Sequence, residues 1–184
     1  GIDIDILYRN LDEFCDGVAR VVEGFEANNG YTTCMWHNLL TCKIVCDKHG
    51  RLQNAKERFS VPYPEELRKN IIKRNTALLY GAMPAYSLQV KKANVRNDRV
   101  SVVHRTAAFL ESYFDVIFAL NKQTHPGEKR LMALCRNNCT TLPEHFEENL
   151  NRLFDDMLTQ SDNLTEDLNT IISELKAVLL RECL

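Results

Sequence analysis

No apolar run in this sequence approaches the ~20 residues of a membrane span, and its start lacks the basic-then-apolar pattern of a signal peptide. The expectation is a cytoplasmic protein with no membrane partner. A strong charge of either sign is missing too. The net charge is −2, which argues against bulk nucleic-acid binding, so nucleic acid is not an expected partner. The seven cysteines lack the regular framework of a small secreted domain, and reduced core thiols are expected rather than disulfides. Cys42, Cys46 and His49 lie close together, but no fourth ligand is identifiable and a zinc site is not expected. Internal repeats and low-complexity segments are absent.

What is present suits one soluble core: 184 residues, 45 % hydrophobic and 26 % charged. Helical periodicity dominates and predicts helices at about 11–25, 32–41, 51–59, 64–94, 99–121, 127–137, 143–160 and 164–182. Pro64 sits at a helix start, where its missing N–H costs nothing, while Pro84 falls inside the long helix and should kink or split it near Gly81. Short turns such as Arg96-Asn97-Asp98 favour antiparallel packing. The expected fold class is mainly α, an up-and-down helical bundle with an N-terminal β-strand.

Strand patterns are scarce. The clearest is GIDIDILYRNL, residues 1–11, where Ile2, Ile4 and Ile6 alternate with Asp3 and Asp5; KIVCD at 43–47 and a weaker stretch at 59–61 are the others. On a strand, Asp3 and Asp5 share a face with Cα atoms ~6.6 Å apart, so both carboxylates could approach one magnesium ion or a pair of them. One polar face on a half-buried strand is the plainer explanation. A lone strand cannot satisfy its own backbone groups. Residues 1–10 are therefore expected to belong to a sheet built N-terminal to this chain or by another protein, with 11–184 as a helical bundle. Residues 2–8 should pair with another chain, as in a homodimer, or be loosely held at the bundle edge.

Charge is unevenly distributed. Bases gather at Arg68, Lys69, Lys73, Arg74, Lys91, Lys92, Arg96 and Arg99, and acids crowd the stretch after 143; most such runs are solvated helix faces. In the apolar helix 99–121, His104, Glu111 and Asp115 fall at spacings of seven and four, on one stripe. Such a stripe is either a solvent edge or an acid-lined cleft for a cationic or hydroxyl-rich substrate. Phe109, Tyr113, Phe114 and Phe118 read as core. In THPGEKRLM, Pro126 near a first helical turn is good start chemistry, but Lys129 and Arg130 oppose the macrodipole at ~0.3–1 kcal/mol each. They make an anion site if they face a cleft and are otherwise solvated.

The succession IDILYRNLDEF, GYTTCMWHNLL, KIVCDKHGRLQNAKERF, YPEELRKNII and FDVIFALNKQTHPGEKRLM resembles the C-terminal half of bacterial polymerase-beta-type nucleotidyltransferases. It is more closely similar to the helical domain of unknown function attached to such enzymes, distantly related to aminoglycoside nucleotidyltransferases. The likeness covers roughly residues 2–136. In that superfamily a Gly-Ser loop and an Asp-x-Asp strand hold magnesium and a nucleoside triphosphate, and a third acid on a later strand completes the site. The resemblance maps the third acid onto Asp5, as metal ligand or base, with Asp3 as helper. It implies magnesium as cofactor of the complete site, a nucleoside triphosphate and a hydroxyl-bearing small-molecule acceptor as partners, and Lys129 and Arg130 on phosphates. His104, Arg105, Glu111 and Asp115 would face the acceptor, with Trp36 and His37 near the domain junction. DID at 3–5 would also fit the first acid pair, but the Gly-Ser loop should then lie about ten residues upstream. The expectation is a substrate-binding region inactive by itself. Two alternatives come from other classes: a metal-independent helical toxin-type ribonuclease, whose R-x4-6-H pattern Arg99 and His104 satisfy, or a non-catalytic interaction module.

Overall fold

The computed structural model describes residues 2–81, 85–159 and 161–182. Among them the chain forms nine α-helices and no β-strand: α1 (Leu11–Val22), α2 (Cys34–Thr41), α3 (Arg51–Arg58), α4 (Glu65–Tyr80), α5 (Tyr86–Val95), α6 (Arg99–Leu120), α7 (Leu131–Asn138), α8 (Phe146–Thr159) and α9 (Leu164–Arg181). The mainly α architecture is as expected. No helix among the described residues is long and apolar enough to cross a membrane.

Helix starts follow local chemistry. Asn10 caps α1 by accepting from the Asp12 and Glu13 N–H groups at 2.9 and 3.3 Å, and acids follow in the first turn. Asp98 caps α6, accepting from the Ser101 N–H at 3.1 Å. Pro64 precedes α4, again with acids, Glu65 and Glu66, in the first turn. The turn at 96–98, with Asn97 left-handed at φ 54°, folds α5 back onto α6. Helices α4, α5 and α6 pack on one another, α9 lies against α5, and α8 pairs with α9.

Helix α6 runs through the centre. Every residue from Ser112 to Leu120 is buried. Phe109, Tyr113, Phe114 and Phe118 are core residues as expected, and Tyr113 stacks on both Phe109 and Phe146 at 6.1 and 6.2 Å. Six cysteines carry free thiols, Cys135 and Cys139 buried among them; Cys183 lies outside the described residues.

Two expectations need correction. The predicted strand at 1–10 is not formed: residues 2–10 carry no strand pairing, and Ile2, Ile4 and Ile6 are 90, 77 and 69 % exposed. Alternation is a necessary condition for a strand, but ladder hydrogen bonds need a second backbone, and none of the described residues supplies one. Residues 43–47 and 59–61 are likewise loop. The split expected near Gly81 in the helical stretch 64–94 is present, with α4 ending before Gly81 and α5 beginning at Tyr86; Pro84 itself lies outside the described residues. The second correction is that Lys129 and Arg130 are not in a first turn. Gly127 and Arg130 are left-handed, at φ 99° and 58°, so the chain turns there and α7 starts at Leu131.

Candidate functional site

The loop between α1 and α2 is held against the core by side chains from two helices. Asp115 of α6, buried, accepts hydrogen bonds from the Thr32 N–H at 3.1 Å, the Thr32 hydroxyl at 2.6 Å and the Asn75 amide at 3.2 Å. Asn75 of α4, also buried, accepts from the Gly30 N–H at 3.0 Å and donates to the Asn28 carbonyl at 3.1 Å. Gly30 is left-handed at φ 81°, and a Cβ there would stand 2.8 Å from the Glu111 Cβ. Only glycine lets the loop lie this close to α6. Burial pushes the Asp115 carboxyl up to about 7, the bonds from Thr32 and Asn75 offsetting part of the shift.

This clamp fixes Tyr31, whose backbone is also left-handed at φ 54°, a costly conformation for a bulky residue. Its ring meets the buried His125 edge-on at 4.8 Å. The His125 N–H donates to the Thr33 hydroxyl at 2.7 Å, and its Nδ1 accepts from the Gly127 N–H at 3.1 Å. Burial, helped by nearby His37, lowers His125 to about 4, so the ring is neutral. The segment 124–127 is thereby tied to the loop.

Two clefts open on either side of this ridge, and Tyr31 and Glu128 line both. The first, of about 950 Å³, is bounded by Leu7, Arg9, Phe14, Trp36 and Lys129 among others. The second, of about 670 Å³, is bounded by Glu111, Phe114, Arg130, Met132 and Phe154 among others.

The candidate residues from the sequence separate on this geometry. Trp36 lines the first cleft, yet its Nε1 is committed to the Phe59 carbonyl at 2.8 Å and its ring tilts against Tyr63. His37 is half-buried, its Nδ1 2.7 Å from the Thr124 hydroxyl, and burial lowers its pKa. Lys129 opens to the first cleft and Arg130 to the second, so the pair does not form a single corner. On the α6 stripe, His104 is exposed, Glu111 half-buried in the second cleft, and Asp115 buried in the clamp; His104 and the half-buried Arg105 line neither cleft. Arg99, the first residue of α6, and the exposed His104 are five residues apart, a turn of about 140° along a helix.

Asp3 and Asp5 stand exposed on the N-terminal segment and line neither cleft, though Leu7 and Arg9 just beyond them line the first. Among the described residues no three His, Cys, Asp or Glu side chains are grouped to hold a metal ion. Two carboxylates on an unpaired segment fall short of the six or more oxygen ligands a hard cation takes, so these residues do not make a magnesium site by themselves.

Sequence reasoning missed Thr32, Asn75, Gly30 and Tyr31. The signal was an isolated polar residue on each apolar helix face, Asn75 between Ile71 and Leu79 and Asp115 among aromatics, because a buried polar group requires a partner. Which partner it has is a tertiary matter.

Neither the curated proteins nor the solved structures contain a match to this chain. A family model described as a domain of unknown function (DUF4037) does match, over residues 31–131. That span begins at the ridge tyrosine and ends at the first residue of α7, and takes in Thr32, Asn75, Asp115, Glu128, Lys129 and Arg130. Covering more than half of the 184 residues and every side chain of the clamp, it makes the chain a member of the DUF4037 family.

Proposed function

We propose that this chain is the substrate-binding helical region of a magnesium-dependent nucleotidyltransferase, moving a nucleoside monophosphate from a nucleoside triphosphate to a hydroxyl-bearing acceptor. The reading requires a Gly-Ser loop and an Asp-x-Asp pair from outside these 184 residues. One observation carries it. Three of the stretches that bear the resemblance, IDILYR through Leu7 and Arg9, GYTTCMWHN through Tyr31, Thr32, Cys34, Trp36 and Asn38, and HPGEK through Pro126 to Lys129, converge on the first cleft.

The cleft's charges suit the task. Arg9, Arg20 and Lys129 line it against Glu13 and Glu128, leaving a positive excess toward a triphosphate. In this reading Asp5 together with the outside acids would hold magnesium, whose charge would offset that of the triphosphate. A carboxylate takes the acceptor hydroxyl's proton as its oxygen bonds to the α-phosphorus, and the bond to the β-phosphate bridge breaks to release pyrophosphate. Glu111 and the second cleft, across Tyr31, are the acceptor side.

Calorimetric titration with ATP at two ionic strengths tests the reading. Lys129→Ala should weaken binding, and more at low salt, because exposed charge is screened. Unchanged affinity at both ionic strengths returns Lys129 to a solvated surface cation and removes the main support. The 184-residue chain incubated with magnesium and nucleoside triphosphates should transfer nothing, and robust transfer would contradict the requirement for outside acids.

A further inference from the structure

Away from both clefts, a groove of about 620 Å³ runs between α4 and α9, which both pack on α5. Helix α4 lines it with Lys69, Ile72, Lys73, Thr76 and Tyr80, and α9 with Lys176, Leu179 and Leu180. The spacings of three, four and seven place each set on one face of its helix. Ile72 and Leu179 are buried, and Leu180 is 76 % exposed at the rim.

The charge here has one sign. Three lysines from two helices line the groove and no carboxylate does; none of the three makes an ion pair among the described residues. This contrasts with the first and second clefts, where acids and bases are mixed. The Lys176 ammonium lies 4.2 Å from the centre of the Tyr80 ring. That contact holds a cation over the apolar floor instead of letting it extend into water.

An apolar floor with cations contributed by both of its helices complements one kind of molecule, an alkyl chain ending in an anion. We propose that the α4–α9 groove binds a single-chain anionic amphiphile, its chain on Ile72, Tyr80, Leu179 and Leu180 and its head among Lys69, Lys73 and Lys176. The head is a carboxylate, as in a fatty acid, or a phosphate, as in a single-chain phospholipid. The site shares no lining residue with the proposed nucleotide cleft and does not depend on that reading.

The test is calorimetric titration of the 184-residue chain with decanoate, decyl phosphate and decylamine, each below its micelle threshold. At least one anion should bind saturably, one per chain, with decylamine at least about tenfold weaker. Decanoate alone identifies a carboxylate head, decyl phosphate alone a phosphate head. Lys73→Ala and Lys176→Ala should each weaken anion binding about two- to fivefold, the range of an exposed charge pair, and Lys176→Arg should keep it. Leu180→Glu, at an exposed position that leaves the core intact, should abolish it, with unfolding temperature checked for each variant. Equal binding of decylamine, no saturable binding of either anion, or undiminished binding in folded Leu180→Glu overturns the proposal.

Discussion

The two halves of α6 obey different rules. From Arg99 to Arg105 only Val102 is buried, with Val100 and Val103 80 and 50 % exposed and His104 in solvent. From Ser112 to Leu120 it is buried all round, as a helix enclosed by neighbours is. One stripe of polar residues crosses both regimes, so His104, Glu111 and Asp115 share a face but not an environment. A helical wheel assigns direction; depth comes from what packs there.

Breaking the buried end should have the largest effect. Asp115→Ala leaves the Thr32 hydroxyl and N–H without their acceptor and takes one of three acceptors from the Asn75 amide, at an expected cost of about 3 kcal/mol in urea denaturation. The same experiment on Gly30→Ala should show a loss of about 2 kcal/mol, from steric conflict with Glu111 and the left-handed backbone. Both variants should also disturb the first cleft through Tyr31, and under the proposed function ATP affinity should then fall even in protein that remains folded.

A smaller effect, spread over pH, sharpens the same contrast. Asp115 titrates near 7 when folded, above its ordinary carboxylate range. The folded protein therefore keeps a proton that the unfolded chain releases between about pH 4 and 7, and this contribution to stability is lost as pH rises through 7. His125 behaves oppositely. Its folded value of about 4 lies below the ordinary imidazole value, so its contribution is present above pH 6.5 and lost as pH falls toward 4. The two oppose each other in the acid range. Relative to the parent, Asp115→Asn should gain stability as pH rises from 4 to 7, and His125→Gln as pH falls from 6.5 to 4, each by at most about 1.4 kcal/mol per pH unit. Parallel curves for parent and variant would show that the group does not titrate as its burial dictates.

The exposed end should respond least. His104→Ala, and deletion of residues 1–8, should each change stability by less than about 0.5 kcal/mol, since neither removes a buried contact. A larger loss on deletion would mean that the N-terminal segment docks on the bundle in solution.

Much of the helical layout was legible because it rests on local physics. Asn10, Asp98 and Pro64 mark helix starts through groups within a turn of themselves, and the aromatic run of α6 is core in any compact arrangement. The start of α7 was not legible. Pro126 with Glu128 is sound start chemistry, but His125 is drawn into the core by Thr33 and by its ring contacts with Tyr31 and Phe118, and the helix waits until Leu131.

The sequence by itself determined a mainly helical chain, the membership of Phe109, Tyr113, Phe114 and Phe118 in its core, and the alternation of residues 2–6, since period and composition are properties of neighbours along the chain. Only the tertiary structure decided that the alternating segment stays unpaired among the described residues, that Lys129 and Arg130 open to different clefts, and that Asp115 binds Thr32 and Asn75 instead of facing solvent. Each of those outcomes depends on a partner distant in sequence, 83 residues away for Thr32 and 40 for Asn75, and a pattern read along the chain does not contain the distance between such groups in space.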